Sequence, residues 1–447
     1  MESILIKNAK ILTMTDQGII DSDVLVVDDR IAQIDADIKD GGKIVINAAN
    51  KVVVPGFVQT HVHLCQTLFR GCADDMELLD WLRLRTWPIE AAHDYKSTYY
   101  SGMLSCMELI RSGTTCIADM GSIQNTDADA QAMFDMGIRG KFGKAMTDFG
   151  ELPPELGKLP GAFSENTKES IESSMALLEK WHHKDNNRIQ YLFAPRGILS
   201  SSEQMLLEVK KLADQYGTGV HVHACENRTE MKRVIEQRGS NEIQYLDRLG
   251  LSGPNLMLAH CVWANEADIQ VLARTGTNVL HCPSANLKLA SGIAPIPAMV
   301  GQGVNVSVGA DGAPCNNNLD AFVEMRMAAL IQKGHLLDPT VMPAKQVLEM
   351  ATINGAKALG LEAEIGSVEV GKKADLVILN LFKPHSIPYS DLYAAIVYSC
   401  SRENVDTVII DGKILLDEGY FLKIDPEEML RKCQAESQRL LVRARVL

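Results

Sequence analysis

Lys51-Val52-Val53-Val54-Pro55-Gly56-Phe57-Val58-Gln59-Thr60-His61-Val62-His63 joins two kinds of sequence. On its N-terminal side, residues 1–54 read as short strands. Ile4-Leu5-Ile6, Lys10-Ile11-Leu12, Val24-Leu25-Val26-Val27 and Ile31-Ala32-Gln33-Ile34 lie between Asp/Gly turns, at hairpin spacing with no helix between them. On its C-terminal side strands and helices alternate as far as about residue 360. Strands are expected at 57–63, 115–119, 138–144, 188–194, 219–225, 256–260, 277–281 and 304–309. Helices are expected at 97–111, 167–181, 203–216, 265–275 and 317–333, with Ile171, Met175, Leu178 and Trp181 on one face of the second. Eight strands with intervening helices predict an α/β fold of the (β/α)8 (TIM) barrel type. A doubly wound open sheet is the alternative, weakened because no G-x-G-x-x-G follows the first strand.

Strand character returns after 360. Ala374-Asp375-Leu376-Val377-Ile378-Leu379 and Thr407-Val408-Ile409-Ile410 are strand-like, Asp411-Gly412 is a hairpin turn, and residues 426–444 end the chain as a charged helix. The two ends are therefore expected to form one small β-sandwich domain, 1–55 plus 361–447, around a barrel at 56–360. Pro153-Pro154-Glu155-Leu156-Gly157 marks a loop within the barrel.

Composition narrows the function. The 447 residues are 46% hydrophobic and 23% charged, which is globular, and 44 basic against 57 acidic side chains leave a net charge of −13. An acidic surface repels nucleic-acid backbones and anionic lipid alike. The N-terminus lacks the basic and apolar regions of a signal peptide, and no apolar run approaches the roughly 20 residues of a membrane span. The ten cysteines form no C-x-x-C pair and read as reduced thiols of a cytoplasmic protein, small buried hydrophobes with Cys315 as the exception.

Six of the eleven histidines fall in expected strands. Strand residues two apart share a face, so His61 and His63 both point into the barrel at its C-terminal mouth. Two adjacent inward imidazoles are costly unless they share a metal or a hydrogen-bond network. His221 and His223 end another strand, His260 the next, His281 the one after, and Asp311 follows the last. Polar metal-type groups at five strand ends of one barrel point to a metal centre. His61, His63, His223 and Asp311 are the expected ligands, with His221 left in a supporting or core role. Nitrogen and carboxylate donors favour Zn²⁺, then Fe²⁺. Glu226, three residues beyond His223, is placed to move a proton, and His260 to orient the attacking water.

These residues resemble the amidohydrolase superfamily. The resemblance is carried by Pro55–His63, His223-x-x-Glu226, Leu258-Ala259-His260-Cys261, His281-Cys282-Pro283-Ser284-x-Asn286, Gly309-Ala310-Asp311-Gly312-Ala313 and Ile365-Gly366-Ser367-x-Glu369-x-Gly371-Lys372. It spans essentially the whole chain. Leu68-Phe69-Arg70-Gly71, Trp81-Leu82, Pro88-Ile89-Glu90 and Asp311–Leu319 are similar to the group of S-adenosylhomocysteine/methylthioadenosine deaminases, 5′-deoxyadenosine deaminases and s-triazine hydrolases.

The resemblance implies one divalent metal per subunit on His61, His63, His223 and Asp311, with Glu226, His260 and Asp311 catalytic. It implies that Glu90 takes ribose hydroxyls, that Trp81 walls the cavity and that Cys315 also lies at the substrate. It also implies a homo-oligomer. Two positions depart from the adenosine-type pattern. Ala194-Pro195-Arg196-Gly197 stands where Gly-Pro-His is common, and both Arg196 and Gln66 resemble guanine deaminase. The expected activity is hydrolytic deamination of an aminopurine nucleoside. The alternatives are a guanine or pterin free-base deaminase and an s-triazine hydrolase. A non-catalytic scaffold is disfavoured, because it has no need of the full set of ligands and proton-handling groups.

Overall fold

The structure is a computed structural model that describes residues 3–39, 41–148, 160–163 and 165–446. The expected loop at 153–157 lies outside the described residues.

Eight strands run parallel around a closed barrel: Phe57–His63, Thr114–Met120, Arg139–Gly143, Ile189–Tyr191, Val220–Ala224, Leu256–His260, Asn278–His281 and Val306–Val308. A parallel bridge from Phe193 to Val220 joins the fourth to the fifth. Closure comes from Asp311–Gly312, which pairs with Val62 and His63 of the first strand. Thr60 reinforces the seam by hydrogen bonding to Ser307 and the Val308 carbonyl. The strands are short and buried on both faces, as a parallel sheet covered by helices requires.

The helices are terminated by local chemistry. Asp94, Asn166 and Asn265 close capping boxes on Tyr95–Arg111, Thr167–Trp181 and Glu266–Thr275. The helix expected from 317 begins only at Ala321, because Asn317 takes a left-handed conformation ending the short turn Ala313–Asn316 and Asp320 caps the new start. Helices at Thr126–Met136, Arg228–Arg238 and Ala344–Met350 were not evident from periodicity.

Strands from both chain ends share one nine-stranded sheet, in which Lys51–Pro55 pairs with Leu376–Asn380 and the latter with Val405–Ile410. The alternation of these strands explains their sequence. Val53, Leu376, Ile378 and Ile409 face the core between the layers of the β-sandwich, together with Ile4, Ile6, Val24 and Val26. Val52, Val54, Val377, Leu379, Val408 and Ile410 face the large core continuous with the barrel. A strand sandwiched between two cores must be apolar on both faces, which is why Val52-Val53-Val54 is unbroken. Gly56 makes the passage into the barrel, where a β-carbon would sit 2.0 Å from the Thr115 hydroxyl.

The C-terminal helix Pro426–Arg443 packs on the barrel rather than on the sheet. Cys433, Leu440 and Leu441 meet Leu68, Phe69 and Ile89, and Ser437 donates to the Leu68 carbonyl at 2.6 Å. The helix thereby braces Leu64–Phe69, the segment that leaves the first strand. Among the described residues no helix is long and apolar enough to cross a membrane.

Candidate active site

Every metal-type side chain singled out in the sequence stands at the C-terminal ends of the barrel strands. His61, His63, His221, His260 and Asp311 are buried, and His223 is the ring partly open to the pocket. The chain bends sharply to aim them. Cys225, His260, Cys261 and Asp311 all take positive φ, between 47° and 74°, a conformation uncommon for non-glycine residues.

Each imidazole is oriented from behind. His63 Nδ1 donates to the Met120 carbonyl at 2.6 Å, His223 Nδ1 to the Arg196 carbonyl at 2.6 Å, and His260 Nδ1 to Asn286 Oδ1 at 2.8 Å. His61 Nδ1 shares a 2.8 Å hydrogen bond with His221 Nε2, which gives His221 its supporting place. With Nδ1 engaged, Nε2 of each ring is free to face inward. His61 Nε2 lies 3.4 Å and His63 Nε2 3.3 Å from Asp311 Oδ1. Among the described residues, His61 Nε2 and His260 Nε2 are buried with no hydrogen-bond partner.

Electrostatics fits the arrangement to a cation. Burial holds the His63 imidazole at about 4, and burial aided by His61 holds His223 and His221 well below the ordinary value, so these rings are neutral at pH 7. Burial alone would raise Asp311, but His61, His260 and His63 bring its carboxyl well below the usual range. Ligand atoms of His61, His63 and His223 lie within 4.8 Å of one another, as do those of His61, His260 and Asp311. Neutral imidazoles around an ionised carboxylate, with orphaned nitrogens between them, are the donor set of a divalent transition-metal site.

Glu226 stands beside this centre, with Oε2 3.6 Å from His260 Nε2. Burial pushes its carboxyl up against the pull of His260. The pocket in front is walled by apolar side chains, among them Leu78, Trp81, Trp87, Phe163, Leu199 and Leu289, and its polar lining includes Gln66, Arg196 and Glu226. Trp81 is one of these lining residues, the place the sequence reading gives it.

Glu90 and Cys315 are not among them. Both oxygens of Glu90 are engaged inside the protein: Oε1 accepts from Gln66 Nε2 at 2.7 Å and Oε2 from Arg196 Nη1 at 2.8 Å. Arg196 and Gln66 overcome the effect of burial and keep its carboxyl below the usual value. Glu90 therefore fixes the two residues that face the pocket instead of facing it. Gln66 turns its amide nitrogen to Glu90 and leaves Oε1 buried without a partner among the described residues, close against Gly312, where a β-carbon would lie 1.9 Å from it. Cys315 is buried beneath Asp311, its thiol donating to the Gly312 carbonyl at 3.0 Å.

Residues 52–415 match the model of the Amidohydrolase family. The chain belongs to that family. Among its amidohydrolase relatives, a 5′-deoxyadenosine deaminase of Methanosarcina mazei is 39% identical over 99% of each chain. A 5-methylthioadenosine/S-adenosylhomocysteine deaminase of Thermococcus onnurineus is 38% identical over 93% of this chain and 94% of its own. A crystal structure of an adenosine deaminase from Xanthomonas campestris with bound zinc superposes with a TM-score of 0.92 at 30% identity, covering 98% of each chain.

Two features of the site were beyond the sequence reading. The backbone acceptors behind His63 and His223 carry no residue-type signal. Glu230 lines the pocket four residues after Glu226, and only that spacing hints at it.

Proposed function

We propose that this chain is a zinc-dependent aminohydrolase that deaminates an aminopurine nucleoside of the 5′-deoxyadenosine, methylthioadenosine or S-adenosylhomocysteine type. The observation that carries the reading is the inward convergence of His61, His63, His223 and Asp311 with the Glu226 carboxyl on the same wall of an apolar pocket. The names of the relatives support the substrate class, and the zinc-bound neighbour supports the metal; a single cation per subunit is part of the proposal. Fe²⁺ is second by donor type.

His61, His63, His223 and Asp311 would hold the cation, which supplies Lewis acidity and makes water nucleophilic near neutral pH. The remaining steps belong to the chain. Water adds to the amine-bearing ring carbon, and the free oxygen of Asp311 takes its proton. His260, 3.6 Å from Glu226 and 3.9 Å from Asp311, lies between the two proton-handling groups and orients the water. Glu226 donates a proton to the adjacent ring nitrogen, where the product keeps it; the proton taken by Asp311 recharges Glu226, which protonates the leaving amine, and the hydroxyl proton of the adduct restores Glu226 as the carbonyl forms. The carbon–nitrogen bond breaks, ammonia leaves, and the ring keeps the oxygen as a carbonyl. The aromatic and aliphatic wall accepts the flat heterocycle and limits access of bulk water.

The Gln66–Glu90–Arg196 group favours a second reading. It presents an unpartnered acceptor beside a guanidinium, the pattern that suits a ring bearing an N–H next to a carbonyl, as in a free-base deaminase for guanine or a pterin. Ammonia release by the zinc-loaded protein, with 5′-deoxyadenosine and guanine in parallel, separates the two. Release from 5′-deoxyadenosine is the expected result. Release from guanine alone would overturn the nucleoside reading.

A further inference from the structure

A second cavity, of about 300 Å³, opens at the other end of the barrel, where the third and fourth strands begin. Lys141 on the third strand and Gln190 on the fourth line it, and the two stand side by side in register. Alternation along the third strand decides where Lys141 points. Its neighbours face the surrounding helices: a β-carbon on Gly140 would lie 2.8 Å from the Met133 side chain, and Phe142 packs edge-on against Trp181. Lys141 therefore points into the barrel, two residues further in than Arg139. Barrel interiors are ordinarily filled by branched apolar side chains. Lys141 is 8% exposed there.

The cavity wall carries three more lysine and arginine side chains, and each is already paired. Arg139 meets Asp375 and Asp411, Lys373 meets Asp29 and Asp411, and Arg30 meets Glu364 at 2.8 Å. Among the described residues Lys141 makes no hydrogen bond and no ion pair. The exposed Glu362 and the buried Cys116 thiol act on it only at a distance, and burial pulls its ammonium below the usual value. A buried cation without a counter-charge is costly, and an anion in the cavity removes that cost. The donors say what kind of anion. The ammonium offers three N–H bonds, and Gln190 Nε2 gives one hydrogen to the Asn187 carbonyl at 3.1 Å and keeps a second. Four N–H groups on one face exceed the two oxygens of a carboxylate and suit the oxygens of a phosphate group.

We propose that Lys141 and Gln190 form an anion site at the base of the barrel that takes a phosphate group, free or at the end of a phosphate monoester. It lies at the opposite end of the barrel from the pocket at the mouth and owes nothing to the chemistry proposed there.

The test is calorimetry on the zinc-loaded full chain with inorganic phosphate and with glycerol 3-phosphate, at an ionic strength fixed by sodium chloride. Saturable binding at one site per chain is expected. Tighter binding of glycerol 3-phosphate marks a monoester as the natural occupant, and equal or weaker binding marks free phosphate. K141M, which keeps the bulk of the side chain and removes its charge, should weaken binding by about tenfold or more. Q190A, which keeps the ammonium, should weaken it by about threefold and serves alone if K141M fails to fold. Wild-type protein freed of zinc should bind as tightly as the loaded protein, because the metal-type residues stand at the other end of the barrel. No saturable binding of either probe, binding that K141M or Q190A leaves unchanged, or binding lost with the zinc would overturn the site.

Discussion

The mouth and the floor of the barrel both bury charged and polar side chains, and they satisfy them in opposite ways. At the floor, Arg139 begins the third barrel strand and donates to Asp375 at 2.6 and 3.1 Å and to Asp411 at 2.8 Å. The Asp411 amide closes onto Asp375 at 2.8 Å, and Lys373 joins through Asp411 and Asp29. Cation and carboxylate are matched there, and the network ties the barrel to the sheet built from the chain ends. At the mouth, His61 Nε2, His260 Nε2 and Gln66 Oε1 are buried without partners among the described residues, and His260 and Asp311 sit on backbone bent into positive φ. Similar residue types at similar depth therefore serve cohesion in one region and, on the proposed function, ligand capture in the other. What separates them is whether the polar atoms are already satisfied from within.

The strongest way to break this contrast is to remove the proton donor from the mouth. E226Q is expected to lower turnover by about 10³-fold, within the range typical of general acid–base groups, while zinc content by metal analysis stays unchanged. Near-normal turnover would show that Glu226 does not move the proton.

The floor predicts the complementary result. R139A strands Asp375 and Asp411 in the interior and should cost about 3–5 kcal/mol of stability, read as a shifted urea midpoint. Turnover of the folded fraction should be unaffected. A large fall in kcat at full folding would mean that the two regions are not separable.

Glu324 sharpens the contrast, because it lies behind the mouth as a buried carboxyl with no cation paired to it among the described residues. It accepts from the Ser284 amide and Asn316 Nδ2, and burial pushes it up to about 7 from 4.5. The folded state thus holds the proton more tightly than the unfolded chain. The stabilising contribution is full below pH 4.5 and is lost as pH rises through 7. That amounts to about 3 kcal/mol at 1.36 kcal/mol per unit. E324Q should flatten the fall in Tm across this window, and an unchanged slope would count against it.

The smallest expected effect is at Gly312. G312A brings a β-carbon against Gln66 Oε1 and should lower kcat/KM by about tenfold, roughly 1.4 kcal/mol, through displaced substrate contacts. Unchanged kinetics would show that Gln66 Oε1 does not meet substrate.

Much of the barrel was legible because its strands are buried on both faces and so appear as bounded apolar runs. Leu256–His260 matches its expected span residue for residue, and Val220–Ala224 falls one residue short at each end. The terminal sheet was legible for the same reason at Val52-Val53-Val54. The histidines stood out because imidazole is a poor strand-core residue without a partner. What stayed hidden depends on distance or on backbone. Gln66, Glu90 and Arg196 meet across a sequence separation of 106 residues for the ion pair alone, and no local pattern tells whether Glu90 turns to a ligand or to Arg196. The carbonyls of Met120 and Arg196 orient two ligands without any side-chain signature. Helix Arg228–Arg238 was missed because its sequence is mostly polar, with Val234 its one buried apolar residue.

The central claim is that four mouth residues hold the one metal on which deamination depends. Its most direct test is to titrate metal-free protein with Zn²⁺ while following ammonia release from 5′-deoxyadenosine. Activity should be absent at the start, rise with added zinc and level off at one equivalent per chain. Full turnover without metal, or none at any zinc level, would contradict the account.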